Sequence, residues 1–172
     1  MKKALLVIDM QNDFIGDNRD KNRFCYKDID KLISNINSNI EESNKNGDKV
    51  IYIAHVLGDN FISRKVLKYG ISGTEGAQLS NKLKKVSKHY FEKHHGDAFS
   101  VKELRFFMEN HEIDTVQICG IDEGGCVSLT AKSAAKLGFK VEILKDSVDT
   151  IFPMKKVMKF REELKKLGVK YI

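Results

Sequence analysis

Short apolar runs of strand character alternate with segments of helical apolar spacing along this chain, and that alternation limits its fold more than any other feature. Residues 3–9, KALLVID, are an apolar run ending in a carboxylate and read as a buried strand. Ile29, Leu32, Ile33, Ile36 and Ile40 then recur at helical spacing, and Gly47 stops that helix. KVIYIAHV is a second strand. Glycines and mixed polarity predict a long loop over 57–74, and EGAQLSNKLKK predicts a short helix. VSKHYFEK is a third strand; Ser100 and Glu103 then form a capping box opening a helix to about Asn110, with Leu104, Phe107 and Met108 on its apolar side. DTVQICGI is strand four, CVSLTAKSAAKLG a helix closed by Gly138, and FKVEILKD strand five. MKKVMKFREELKKLG is the last helix and VKYI a sixth strand.

Strand–helix alternation of this kind predicts an α/β protein. The expected architecture is a three-layer, Rossmann-like fold, a six-stranded, mainly parallel sheet with helices on both faces. No linker, internal repeat or low-complexity segment divides the 172 residues, so a single domain over 1–172 is expected. No run approaches the roughly 20 apolar residues of a membrane span. The opening MKKALLVID meets Asp9 too soon for a signal peptide, so a cytoplasmic protein without membrane attachment is expected. The 3 cysteines, Cys25, Cys119 and Cys126, are too few and odd in number for a disulfide framework. The net charge of +6 comes from scattered lysines, with no Lys/Arg cluster of the kind nucleic-acid binders carry, so no nucleic-acid partner is expected.

In open parallel sheets, ligands bind beyond the carboxyl ends of the strands. Three reactive side chains fall at such ends: Asp9 after strand one, Lys93 after strand three, and Cys126 in the Gly-Gly turn after strand four. A thiol attacks as thiolate, and a helix N-terminus and a nearby lysine both lower its pKa. A neighbouring carboxylate can take the thiol proton and later return it to a leaving group. Gly124 and Gly125 permit a sharp turn whose N–H groups, with that of Cys126, can face an oxyanion. Each residue also has a plain structural reading: a packing cysteine, a turn-capping aspartate, a surface lysine. Cys119, inside an apolar strand, is core, and Cys25, in a polar loop, has no assigned role. His55, His94 and His95 complete no ligand spacing, so neither metal nor cofactor is expected.

Four segments, in order, resemble the isochorismatase-like cysteine hydrolases, the superfamily that includes the nicotinamidases. LLVIDMQNDF is similar to that family's opening strand and its Asp-x-Gln-x-Asp-Phe continuation. GTEGAQL is similar to its Gly-Thr-x-Gly segment, and KHHGDAF to its Lys-x-x-x-x-Ala-Phe element. ICGIDEGGCV is similar to its Gly-Val-x-Thr-x-x-Cys-Val nucleophile turn. The resemblance implies Cys126 as nucleophile, Asp9 as general base and then acid, and Lys93 as keeper of the charge balance between them. It further implies a cis peptide at Ile121–Asp122, an oxyanion hole from the N–H groups of Asp122 and Cys126, and Phe14, Phe99 and Glu123 against the substrate. The reaction implied is hydrolysis of a small-molecule amide or related C–N bond through a thioester, by a homo-oligomer.

The departures from the family pattern are specific. Glu123 stands where the family commonly has threonine, so Asp122 and Glu123 put two carboxylates beside the expected oxyanion hole. Either they point to solvent, or the substrate or a lysine compensates them. Nicotinamidases usually carry an Asp-x-His metal pair after strand two, and AHVLGDN has none. A nucleophilic thiol is also not what vinyl-ether hydrolysis of isochorismate requires. The alternative reading is a catalytically silent binding or scaffold protein on the same fold, and Glu123 is the residue that supports it.

Overall fold

The computed structural model describes residues 2–172. Six strands form one sheet: β1 (Lys3–Ile8), β2 (Lys49–His55), β3 (Tyr90–Lys93), β4 (Thr115–Ile121), β5 (Lys140–Asp149) and β6 (Lys170–Tyr171). Their order is β3-β2-β1-β4-β5-β6 and every neighbouring pair is parallel. The helices are α1 (Asn12–Ile15), α2 (Ile29–Lys45), α3 (Lys102–Asn110), α4 (Ser128–Lys136) and α5 (Met154–Lys166). No helix among the described residues is long and apolar enough to cross a membrane.

Alternation along β1 shows how both faces of the sheet are covered. Ala4, Leu6 and Ile8 pack into a core with Leu104 and Met108 of α3 and Ala131 and Ala134 of α4. Leu5 and Val7 point the other way, into a core with Ile36 and Ile40 of α2 and Phe14 of α1. Each buried Ile or Leu contributes about 1.5–3 kcal/mol relative to exposure, so both faces of the central strands are strongly specified. Asp28 caps α2 by accepting the Lys31 N–H at 3.0 Å, and Gly47, at φ +77°, leads the chain out of the helix.

The strand order reverses between β1 and β4, and a crevice opens there at the carboxyl edge. Gly120 lets these two strands lie close: its φ is +109°, and a Cβ would sit 2.1 Å from the Ile8 carbonyl oxygen.

Several local expectations are corrected. EGAQLSNKLKK makes only a 3₁₀ turn, Glu75–Ala77, because Gln11 takes the Ala77 carbonyl (2.8 Å) and Leu79 bridges to Gln11. Ser100 and Glu103 form no capping box: Ser100 Oγ donates back to the Asp97 carbonyl, closing a 3₁₀ turn, and α3 starts at Lys102. The 57–74 segment holds a π-helical turn, Ser63–Leu67, and a Leu57–Ile71 bridge. Strand three is confined to Tyr90–Lys93. Cys126 lies not on a regular first turn of α4 but in a preceding π-helical turn, Glu123–Val127, where Gly125 (φ −150°, ψ −108°) breaks the helical path.

Candidate active site

Asp9 follows β1 in a left-handed conformation (φ +55°), which aspartate tolerates better than most residues. Its N–H is fixed to the Ile53 carbonyl at 2.8 Å, so the side chain turns across the sheet edge toward β2 and β3. Lys93, the last residue of β3, sits in register with His55, the last of β2. The lysine is fully buried. Its Nζ lies 2.8 Å from Asp9 Oδ2, 3.2 Å from His55 Nδ1 and 3.3 Å from Cys126 Sγ. An ammonium has three N–H donors, and each has a partner here. Asp9, His55 and Cys126 all bring an atom within 4.8 Å of one another, while Asp9 Oδ1 is buried and accepts no hydrogen bond.

Burial alone would lower the pKa of Lys93, but the Asp9 carboxylate and the hydrogen bonds to Asp9 and Cys126 more than offset this, and the net shift is upward. The lysine is therefore charged at neutral pH. Burial, and then the Lys93 ammonium, lower the pKa of His55. That ring is neutral, and with Nδ1 accepting from Lys93 its proton is on Nε2. The thiol of Cys126 reverses the sequence-based expectation. Burial and the Asp9 carboxylate, opposed by Lys93, push it up to about 12, so the resting form is a thiol.

Asp122 and Glu123, the two acids before the thiol, are each held by partners of their own. The Ile121–Asp122 peptide is cis. The Asp122 carboxylate accepts from Gly124 N–H (2.7 Å), Thr150 Oγ1 (2.5 Å), Ile151 N–H (2.8 Å) and Tyr26 Oη (3.3 Å). Burial still raises its pKa against these four bonds. Glu123 is only 4% exposed, yet it does not line the pocket. It forms a bidentate pair with Arg161 of α5, at 2.7 and 2.9 Å. Its expected place against the substrate is thus corrected, and the compensating cation is an arginine from elsewhere in the chain. Phe99 is corrected as well. Asp97 caps the turn that carries it, and the ring packs in the core beside Phe139, 5.5 Å between centroids.

Phe14 does line the pocket, a cavity of about 340 Å³ with Asp9, Asp122 and Cys126 in its walls. Phe24, Tyr26, Tyr69 and Phe152 complete an aromatic enclosure. Phe14 meets Phe24 edge-on at 5.0 Å and Tyr69 at 5.6 Å. Phe24, Tyr26, Tyr69 and Phe152, and His55 as a partner of Lys93, are absent from the sequence-based site. The sequence signal for two of them was the pair of aromatics flanking Cys25 in an otherwise polar loop.

The residues after β2 do not fit a metal centre of the nicotinamidase kind. Asp59 is engaged by Arg64 in a bidentate surface pair, and His94 donates to the Val56 carbonyl. Asp9, His55 and Cys126 are the one close set of three potential ligands among the described residues, and all three already bond the Lys93 ammonium. A metal ion among them would lie against that positive charge.

The isochorismatase domain model matches residues 3–171. An isochorismatase family protein of Bacillus subtilis, PncA, is 31% identical over 163 residues, 86% of each chain. The nicotinamidase of Saccharomyces cerevisiae is 27% identical over 206 residues, covering 95% of each. The crystal structure of nicotinamidase PncA from Bacillus subtilis superposes with a TM-score of 0.85 at 27% identity, covering 99% of both chains. With the sheet order, the carboxyl-edge crevice and the domain match in agreement, this chain belongs to the isochorismatase family of hydrolases.

Proposed function

We propose that this hydrolase is a cysteine-dependent amidase that cleaves a small carboxamide on a planar, apolar or aromatic body, through a thioester. The observation that carries the reading is the Lys93 ammonium bridging Asp9 and Cys126 while Asp9 Oδ1 remains without a hydrogen bond at the pocket floor. That oxygen is the free acceptor a thiol proton needs. The amidase reaction agrees with the nicotinamidase names of the yeast relative and the superposed bacterial structure. The enclosure of five rings, Phe14, Phe24, Tyr26, Tyr69 and Phe152, favours a flat apolar substrate body.

In the proposed course, Asp9 takes the Cys126 proton as Sγ adds to the amide carbon, and the carbonyl electron pair moves onto oxygen. The N–H groups of Asp122 and Cys126 hold that oxyanion. Asp9 then protonates the departing amine, the C–N bond breaks, and a thioester remains. Asp9 next deprotonates a water that attacks the thioester, and the carboxylic acid leaves as the thiol is restored. No step requires a metal.

The alternative of a silent binding protein rested on an uncompensated Glu123, and the Arg161 pair removes that reason. Ammonia release from a panel of aromatic and aliphatic carboxamides tests the proposal, with and without a chelator. Turnover of a flat amide, lost in Cys126→Ala, with an acyl adduct on Cys126 trapped by acid quench and seen by mass spectrometry, is the expected result. Equal turnover by Cys126→Ala would overturn it. Sedimentation of the purified chain tests the accompanying expectation of a homo-oligomer.

A further inference from the structure

We infer that Arg161 is a positioning residue of the Cys126 turn, holding the Glu123 carboxyl directed away from the oxyanion site, so that turnover depends on a helix that does not line the pocket. The inference rests on the proposed role of Cys126. Glu123 is three residues before Cys126, in the same π-helical turn, and nearly fully buried. A buried carboxylate must be paired, neutralised or rehydrated. The bidentate fork of Arg161 supplies the pairing, with Nε on Oε1 and an Nη on Oε2.

The surroundings hold both partners in place. The Arg161 guanidinium lies over the Tyr171 ring of β6, 5.2 Å from its centroid. The Glu123 carbonyl accepts from Ser128 Oγ of α4 at 2.5 Å. On the opposite side, a Cβ on Gly124 would lie 2.8 Å from the Cβ of Phe152, so the turn is packed from the pocket side too. The charged or titratable groups facing the Glu123 side chain are Arg161 and the Tyr171 phenol. Of these only Arg161 carries positive charge. Without it the nearest lower-energy courses for Glu123 are a swing toward the pocket or an unpaired charge behind the turn. Both set a negative charge against the thiolate and the developing oxyanion.

The pair therefore predicts an asymmetry that packing alone does not. Arg161→Met leaves a carboxylate without its cation, whereas Glu123→Gln leaves an arginine that is part-exposed and can be solvated; the Arg161 side chain is 40% exposed. The experiment measures kcat and KM for an amide substrate, and the rate of Cys126 alkylation by iodoacetamide, in Arg161→Met, Arg161→Lys, Glu123→Gln and the double variant Arg161→Met/Glu123→Gln. Arg161→Met is expected to lose about thirtyfold or more in kcat with KM within about threefold, and to alkylate more slowly. Glu123→Gln and the double variant are expected within about fivefold of the parent in both readouts, and Arg161→Lys between the two extremes. If Arg161→Met does not fold, the Arg161→Lys loss and its rescue by added Glu123→Gln decide the matter. Equal damage from both single changes without rescue in the double variant, or a folded Arg161→Met with parental kcat, overturns the inference. Alkylation needs no substrate, so a protein that cleaves no amide yet shows the alkylation asymmetry refutes the proposed function and leaves this inference standing.

Discussion

Replacing Lys93 with methionine tests what the buried ammonium does. Its Nζ stands 2.8 Å from Asp9 and 3.3 Å from Cys126, so at an effective dielectric of 20 it stabilises a carboxylate there by about 6 kcal/mol and a thiolate by about 5 kcal/mol. The difference, about 1 kcal/mol, is the lysine's effect on moving the proton from thiol to carboxylate, and it slightly opposes the transfer. The shared part, about 5 kcal/mol, stabilises the single negative charge wherever it resides. Lys93 thus sets how strongly the site holds a negative charge, not where that charge sits.

The consequence has a definite sign. Removing a cation raises the pH at which an acidic site ionises, so activity is lost below the new ionisation and returns above it. The acid limb of kcat/KM in Lys93→Met is expected to move to higher pH, with activity near pH 10 recovering to within about tenfold of the parent. Ammonia release across pH 5–10 (roughly the range over which a carboxylate and a thiol can be followed) measures this, with circular dichroism confirming the fold at each end. A uniform loss at every pH, with the acid limb unmoved, would refute the reasoning and assign Lys93 to the proton transfer itself.

Because burial pushes the Cys126 thiol up to about 12, its alkylation should quicken about tenfold per pH unit between roughly pH 8 and 11; a plateau below pH 9 would mean the thiolate already dominates. Phe14→Ala removes a ring that contacts both Phe24 and Tyr69, and should raise KM for an aromatic amide by about tenfold while changing kcat less, as read from initial rates. Gly120→Ala sets a Cβ 2.1 Å from the Ile8 carbonyl at a backbone φ of +109°, so a folded protein with parental urea midpoint would contradict the close β1–β4 approach. Ile36→Ala empties a fully buried site under the sheet and should lower unfolding stability by about 2–5 kcal/mol while leaving kcat of the folded enzyme unchanged.

Most of the fold was legible because its signals are local. The apolar run of β1 and the 29-32-33-36-40 spacing of α2 are read along a few residues, and both elements are present. Strand–helix alternation, with the handedness and connection rules of parallel sheets, then leaves few arrangements for six strands. The placement of Asp9, Lys93 and Cys126 at one rim followed in turn, since strand ends of a parallel sheet share an edge. Where a competing contact existed, the local reading failed. EGAQLSNKLKK gave up a helix because Gln11, far upstream, claims the Ala77 carbonyl. The Ser100 hydroxyl turned back to Asp97 instead of capping α3.

What the side chains at the rim do was decided in three dimensions. Helix position and a nearby lysine argued for a low thiol pKa, but desolvation and the Asp9 charge outweigh both in the folded protein. Glu123 looked uncompensated because its partner, Arg161, is 38 residues away on a helix with no other mark of function. The aromatic enclosure draws Phe24, Tyr69 and Phe152 from three separate loops. Periodicity and spacing record which way a residue points within its own element. Burial, charge pairing and pocket shape depend on what other elements bring to the same place, and these are settled only when the chain closes on itself.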